Sequence, residues 1–213
     1  MNFKKFYLIL FVFILSFTNA NSIEPEIFVE STIKKATSIL SNNSSKESKI
    51  KQLKTVAKET VDIKGVGFYS LGNARKNLNS DQKKKYSELF EEYFLKSFSS
   101  RLSEYSNPKI EVRDKDVLNN NYTIVKSMLI ATPERPEIKV NWRVYTKNPD
   151  NPLIRDLIIE GLSLARTQKE EFASILSSSN NDINYVSHNP GSLNSNADFD
   201  DVNFCSYFGG YMI

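Results

Sequence analysis

Cysteine, histidine and tryptophan each occur once in this 213-residue chain, as Cys205, His188 and Trp142. A single cysteine excludes an internal disulfide framework, so any stable fold must rest on an apolar core. One histidine and one cysteine make a poor metal set, and no loop has the carboxylate spacing of a calcium site. No cofactor and no metal are expected. Glycine and proline are also sparse, at seven each. The cluster Gly65-Val66-Gly67 followed by Gly72 does not match a dinucleotide fingerprint and reads as a turn. Long apolar runs are missing as well. Phe6 to Phe17 is apolar apart from Ser16, well short of the roughly 20 residues that span a bilayer.

That short run follows Lys4 and Lys5 and ends at Thr18-Asn19-Ala20, the pattern of a cleavable export signal over residues 1–20 with the cut after Ala20. No cysteine stands directly after it to carry a lipid. Large charge of one sign is missing too. The formal charge is +3, and without Lys4 and Lys5 the balance is 26 basic residues against 25 acidic ones. A nucleic-acid binder usually concentrates a basic excess on one face. Here Lys83-Lys84-Lys85 is soon followed by Glu88, Glu91 and Glu92, as on a solvated helix.

What the chain does have is aromatic weight, with 14 Phe and 10 Tyr, and clear periodicity. Residues 23–40 and 49–61 carry apolar positions at helical spacing, separated by Ser and Asn over 41–45. Residues 80–105 form the clearest helix, with Tyr86, Leu89, Phe90, Tyr93, Phe94, Phe98, Leu102 and Tyr105 at steps of three and four. Asn79, Ser80 and Asp81 offer capping oxygens at its start. Strand character follows over 109–117, 122–132, 137–147 and 153–160, and the third of these alternates cleanly. Asn148-Pro149-Asp150-Asn151 makes the last two an antiparallel pair. Residues 162–177 return to helix, and the segment from Ser187 onward loses all period.

Helices followed by adjacent strands predict an α+β domain: a curved antiparallel sheet of about four strands covered by several helices. The expected domain is 21–185, followed by an atypical tail over 186–213 read as disordered. A layered fold of this kind can leave a concave apolar space between sheet and helices, where apolar ligands bind. The inward set expected around it is Ile110, Val112, Val125, Met128, Ile130, Val140, Trp142, Val144 and Ile158 from the strands. Phe94, Phe98 and Leu102 face them from the long helix, with Phe68 and Leu71 near the mouth. Gly161-Leu162-Ser163-Leu164-Ala165 invites comparison with a nucleophile turn, with Asp182 and His188 beyond it. Acid and base would then sit six residues apart in a polar tail, a poor support for a triad. No catalytic residue is assigned.

The residues also resemble a known family. Leu71-Gly72, then Leu89-Phe90 and Tyr93 on the long helix, appear in order. They lead to Asp156-Leu157-Ile158-Ile159-Glu160-Gly161-Leu162-Ser163-Leu164, with Arg166, Gln168, Glu171-Phe172 and Ile175-Leu176 after it. This is similar to the MlaC family, the toluene-tolerance auxiliary component of an ABC transport system, over residues 23–185. The family's Trp and Tyr before the motif Asp are replaced here by Pro152 and Arg155. The resemblance implies an NTF2-like fold with acyl chains buried between sheet and helices. It further implies a periplasmic, non-enzymatic phospholipid carrier that serves an outer-membrane lipoprotein complex and an inner-membrane ABC permease, without nucleic acid. An NTF2-like enzyme, or a carrier of another apolar molecule, is the alternative.

Overall fold

The computed structural model describes residues 22–133 and 135–178. The expected signal and its cleavage site, the tail over 186–213, Asp182, His188 and Cys205 lie outside the described residues.

The helical half comes first. Pro25 opens α1 (Pro25–Ser41), where its missing N–H costs nothing. Val29, Ile33 and Leu40 recur along its buried stripe. Helix α2 (Lys46–Thr60) is capped by the Ser45 hydroxyl and buries Leu53 and Ala57. Helix α3 (Ile63–Ser70) covers the stretch whose glycines read as a turn. Asp62 caps it by accepting from the Gly65 N–H at 2.9 Å. Gly67 is required by packing rather than by a turn: a Cβ there would sit 2.7 Å from Cδ1 of Phe90. The actual change of direction comes at Gly72, whose φ of +54° suits a residue without a side chain. A 3₁₀ turn (Gly72–Asn77) leads to α4 (Ser80–Leu102). Its start is a capping box, with the Gln82 N–H donating to Asn79 Oδ1 at 2.9 Å and the Asn79 N–H to Gln82 Oε1 at 3.0 Å.

Five strands follow as an antiparallel meander in the order of the chain: β1 (Ile110–Asn119), β2 (Tyr122–Leu129), β3 (Ile138–Tyr145), β4 (Leu153–Ile159) and β5 (Leu162–Ser163). Helix α5 (Leu164–Ser178) leaves directly from β5. The α+β architecture expected from the sequence is the one observed. The fifth strand, two residues long, is added to the expected four. Glu160 and Gly161, with φ of 49° and 87°, make the tight turn between β4 and β5.

The sheet has two unlike edges. Among the described residues β1 is a ten-residue edge strand with no strand beyond it, carrying Glu111, Arg113, Asp114, Lys115 and Asp116, and its register slips between Val112 and Asp114. Lys115 is held by Glu24 and Glu26 at 3.0 and 2.7 Å. At the other edge, β5 covers only the end of β4. The junction between α2 and α3 covers the rest: Val61 bridges Ile154 in parallel, and the Asp62 N–H donates to the Ile154 carbonyl at 2.9 Å.

The core is divided. Among the described residues, buried side chains form four separate clusters. One ties α3, α4 and α5 around Tyr86, Phe90 and Phe172. Another joins α1 to α2 through Ile39, Leu40 and Leu53. The remaining two lie on the sheet, around Val140 and Ile159 and around Val29, Val125 and Val144. Helix α4 packs chiefly on α2 and α3. It therefore stands off from the sheet, and the space between the clusters stays open.

Candidate functional site

The inner face of the sheet follows from register. Val125 pairs with Trp142, Ser127 with Val140 and Leu129 with Ile138. Val140 then pairs with Ile159 and Trp142 with Leu157. Alternation puts all of these on one side. Across from them α4 offers Phe90, Phe94, Phe98 and Leu102, while α1 and α2 close the flank with Ile33, Ala36, Leu40, Leu53, Val56 and Ala57. These walls surround a cavity that offers ≈ 170 Å³ to the centres of water-sized molecules.

The polar side chains that reach this cavity are already engaged. Thr32, Thr37 and Thr60 return their hydroxyls to the carbonyls of Phe28, Ile33 and Val56 at 2.9, 2.9 and 2.8 Å, presenting methyl groups instead. The Trp142 Nε1–H donates to Ser127 Oγ at 2.8 Å, and that hydroxyl donates to the Val140 carbonyl at 2.6 Å. Arg155 sits at a slip in β4, with Nε and Nη2 both 2.7 Å from Asp62 Oδ2 and Nη1 donating to the Tyr122 hydroxyl at 2.6 Å. Its guanidinium stacks 3.6 Å from the centre of the Tyr145 ring. Gln168 accepts from the Tyr93 hydroxyl at 3.5 Å and donates to Glu171 Oε2 at 3.1 Å. Burial without a second partner raises the Glu171 carboxyl above its ordinary range. The result is an oily slot without a free charge among its described lining.

The aromatic wall is ordered by stacking. Phe90 and Phe94 lie 6.3 Å apart at 23°, and Phe94 and Phe98 lie 5.4 Å apart at 12°. Behind them the Tyr86 hydroxyl donates to the Gly67 carbonyl at 3.0 Å, and burial pushes this phenol well above its ordinary range. It stays protonated and keeps donating.

A family model described as MlaC protein matches residues 30–188. The chain belongs to the MlaC family. A curated relative, the intermembrane phospholipid transport system binding protein MlaC of Haemophilus influenzae, is 25% identical over 188 residues, 81% of this chain and 86% of that protein. A phospholipid-binding protein from Ralstonia solanacearum, solved in complex with a phospholipid, superposes with a TM-score of 0.66 at 14% identity. The match covers 80% of this chain and 99% of that one, and it shows a shared fold.

In this MlaC-family chain the motif around Asp156 has a structural explanation. Asp156 lies 5% exposed near the cavity and accepts from Ser163 Oγ at 2.6 Å and from the Ala165 N–H at 2.9 Å. Ser163 Oγ in turn accepts from the Arg166 N–H at 3.1 Å. The Glu160-Gly161 turn brings Ser163 back beside Asp156, and together they satisfy the exposed N–H groups at the start of α5. The Ser163 hydroxyl is thus committed to a helix cap.

Of the fourteen residues expected to line the slot, Phe94, Phe98, Leu102, Ile110, Val140 and Trp142 do so. Val125 and Val144 face inward but are fully buried beneath Val29 and Ile33 of α1. Val112 is shifted to a shallow groove between α1 and β1, beside Glu30 and Lys34. Leu71 is not at a mouth: it is 3% exposed within the helical cluster, and Phe68 packs on the Tyr86 ring at 6.2 Å. Met128, Ile130 and Ile158 are corrected by parity. Met128 pairs with Lys139 and Ile158 with Asn141, on the opposite face from Val125 and Trp142. Ile130 continues the parity of Met128 past the end of β2. A strand cannot turn Val125 and Met128 the same way, because their separation is odd. Sequence reasoning missed Ser127 and the contributions of α1 and α2; the apolar stripes of those helices were the available signal.

Proposed function

We propose that this MlaC-family chain is a phospholipid carrier that buries acyl tails in the slot between sheet and helices. In the same proposal, residues 1–20 export it to the periplasm. There it shuttles lipid between an outer-membrane lipoprotein complex and an inner-membrane ABC permease, without catalysing a reaction. The carrying observation is that the polar side chains reaching the cavity already have protein partners, which leaves an apolar lining. Moving an acyl chain into water costs about 0.8 kcal/mol per CH₂, so two tails of roughly 15 carbons face a gross barrier of about 25 kcal/mol. A slot walled by Phe94, Phe98, Val140 and Trp142 replaces the bilayer for those tails. Hand-over requires a docking partner to favour the open slot by a few kcal/mol, because a ligand moves an equilibrium only by its differential affinity.

Native purification of the mature protein, solvent extraction and mass spectrometry test this. Two-tailed phospholipid is the expected cargo. Ala36→Trp, which projects an indole into the slot, removes most of it, since core space does not tolerate a side chain of that volume. Met128→Trp, on the opposite face, leaves the yield of lipid unchanged. An empty protein, or one holding a single-chain or ring-shaped apolar compound, rejects the phospholipid assignment.

A further inference from the structure

Ser127 is an unusual choice for its position. On the inner face of β2 it stands between Val125 and Leu129, and it is 3% exposed. Packing alone favours another apolar residue there. Its hydroxyl has two partners, the Val140 carbonyl and the indole N–H of Trp142. Trp142 is opposite Val125, so Ser127 is its diagonal neighbour on the next strand. A serine oxygen lies one bond beyond Cβ, close to the sheet surface. An indole nitrogen held 2.8 Å from it must keep that edge of the ring low over β2. The ring accordingly touches both sheet clusters, the one around Val140 and Ile159 and the one around Val125 and Val144. It lines the cavity from the sheet side.

We infer that Ser127 is a positioning residue that sets the acyl-chain length the slot accepts, by pinning Trp142 down as its floor. This rests on the carrier reading above. The physical reason is local. A half-buried indole without an acceptor leaves a desolvated N–H, which removes what holds the ring low and frees it to rise from β2 into the slot. Swung upward, it occupies the depth that the end of a tail would fill. An apolar site discriminates a single methylene by about tenfold. A shift of one ring is therefore large enough to be read in the cargo.

The test uses the mature full-length protein and two readouts. Trp142 is the chain's one tryptophan, so intrinsic fluorescence reports on this ring alone. Acyl composition of the co-purified phospholipid reports on the slot. Ser127→Ala is expected to red-shift the emission and raise acrylamide quenching as the ring leaves its buried seat, and to cut the longest recovered chains at least about tenfold. Ser127→Thr keeps the oxygen and restores both readouts. In a Trp142→Phe background, Ser127→Ala changes the acyl profile no further. Three results overturn the inference: parental quenching and profile in Ser127→Ala, the same change in profile with or without the indole, or failure of the threonine to rescue. Should Ser127→Ala not fold, Trp142→Phe alone must alter the profile, because it removes the pinned N–H. A parental protein without phospholipid defeats the carrier reading instead, and this inference with it, while the quenching comparison still tells whether the pin exists.

Discussion

Replacing Asp156 with alanine is the sharpest probe of how the β4–β5 hairpin holds α5. The carboxylate is 1% exposed and serves two buried donors, the Ser163 hydroxyl and the Ala165 N–H, with Arg143 Nη1 a further 3.6 Å away. Orphaning a buried donor costs about 1–3 kcal/mol, so two of them cost about 2–6 kcal/mol. The Arg143 side chain is 39% exposed, and its loose contact to Asp156 adds little because water screens it. For a domain of this size each kcal/mol lowers the melting temperature by about 2–4 °C, so a loss near 4 kcal/mol predicts a fall of about 8–16 °C. Asp156→Asn retains one acceptor oxygen and should cost about half as much, because a single donor is then left without a partner. Circular dichroism melts of both variants, with urea titrations to obtain free energies, make the comparison. A fall of less than about 2 °C for the alanine variant would refute the reasoning, since it corresponds to less than one lost hydrogen bond.

Two further outcomes follow from the same packing. Gly67→Ala drives a methyl to within 2.7 Å of the Phe90 ring, and overpacking at about 1–3 kcal/mol outweighs the ~1 kcal/mol gained in helix propensity. The difference runs from about 0 to 2 kcal/mol, so urea unfolding should show a net loss centred on about 1 kcal/mol, and a raised midpoint would show that the ring yields freely. Glu171 gives a pH signature. Its native carboxyl is raised by burial, so the folded state binds more protons than the unfolded one between the ordinary carboxylate value and the raised native one. That contribution is present at acid pH and is lost as pH rises through this window. Glu171→Gln should therefore raise the melting temperature at pH 7 and leave it unchanged below about pH 4, where the carboxyl is protonated in both states. Equal gains at both pH values would remove the assigned cause.

Much of this fold is visible in the chain itself, for reasons that differ by element. The apolar steps of α4 and the alternation of β3 are long enough for one period to dominate, and both elements are found where expected. Residues 63–70 were harder. Gly65 and Gly67 look like a turn, yet Gly67 answers to the Phe90 ring on another helix, a tertiary demand that no local pattern expresses. β5 has two residues and therefore no period at all. The slot was legible as a class of space, while its lining was legible only in part. Met128 and Ile158 are apolar and stand in the right strands, but pairing register decides their face. Ile33, Ala36, Leu53 and Val56 lie on stripes whose helical character was plain, whereas the layer they meet is a property of the assembled domain. Arg155 falls at a slip in β4, where simple alternation loses its meaning.

The free edge of β1 bears on how such a molecule behaves in a crowded compartment. Ten residues of open backbone invite a second copy to zip alongside, and the invitation is withdrawn in three ways. Mixed charges crowd the strand, the ladder breaks step at Arg113, and Lys115 points inward under the grip of Glu24 and Glu26. Edge-to-edge growth of one copy onto the next is thereby disfavoured along this strand.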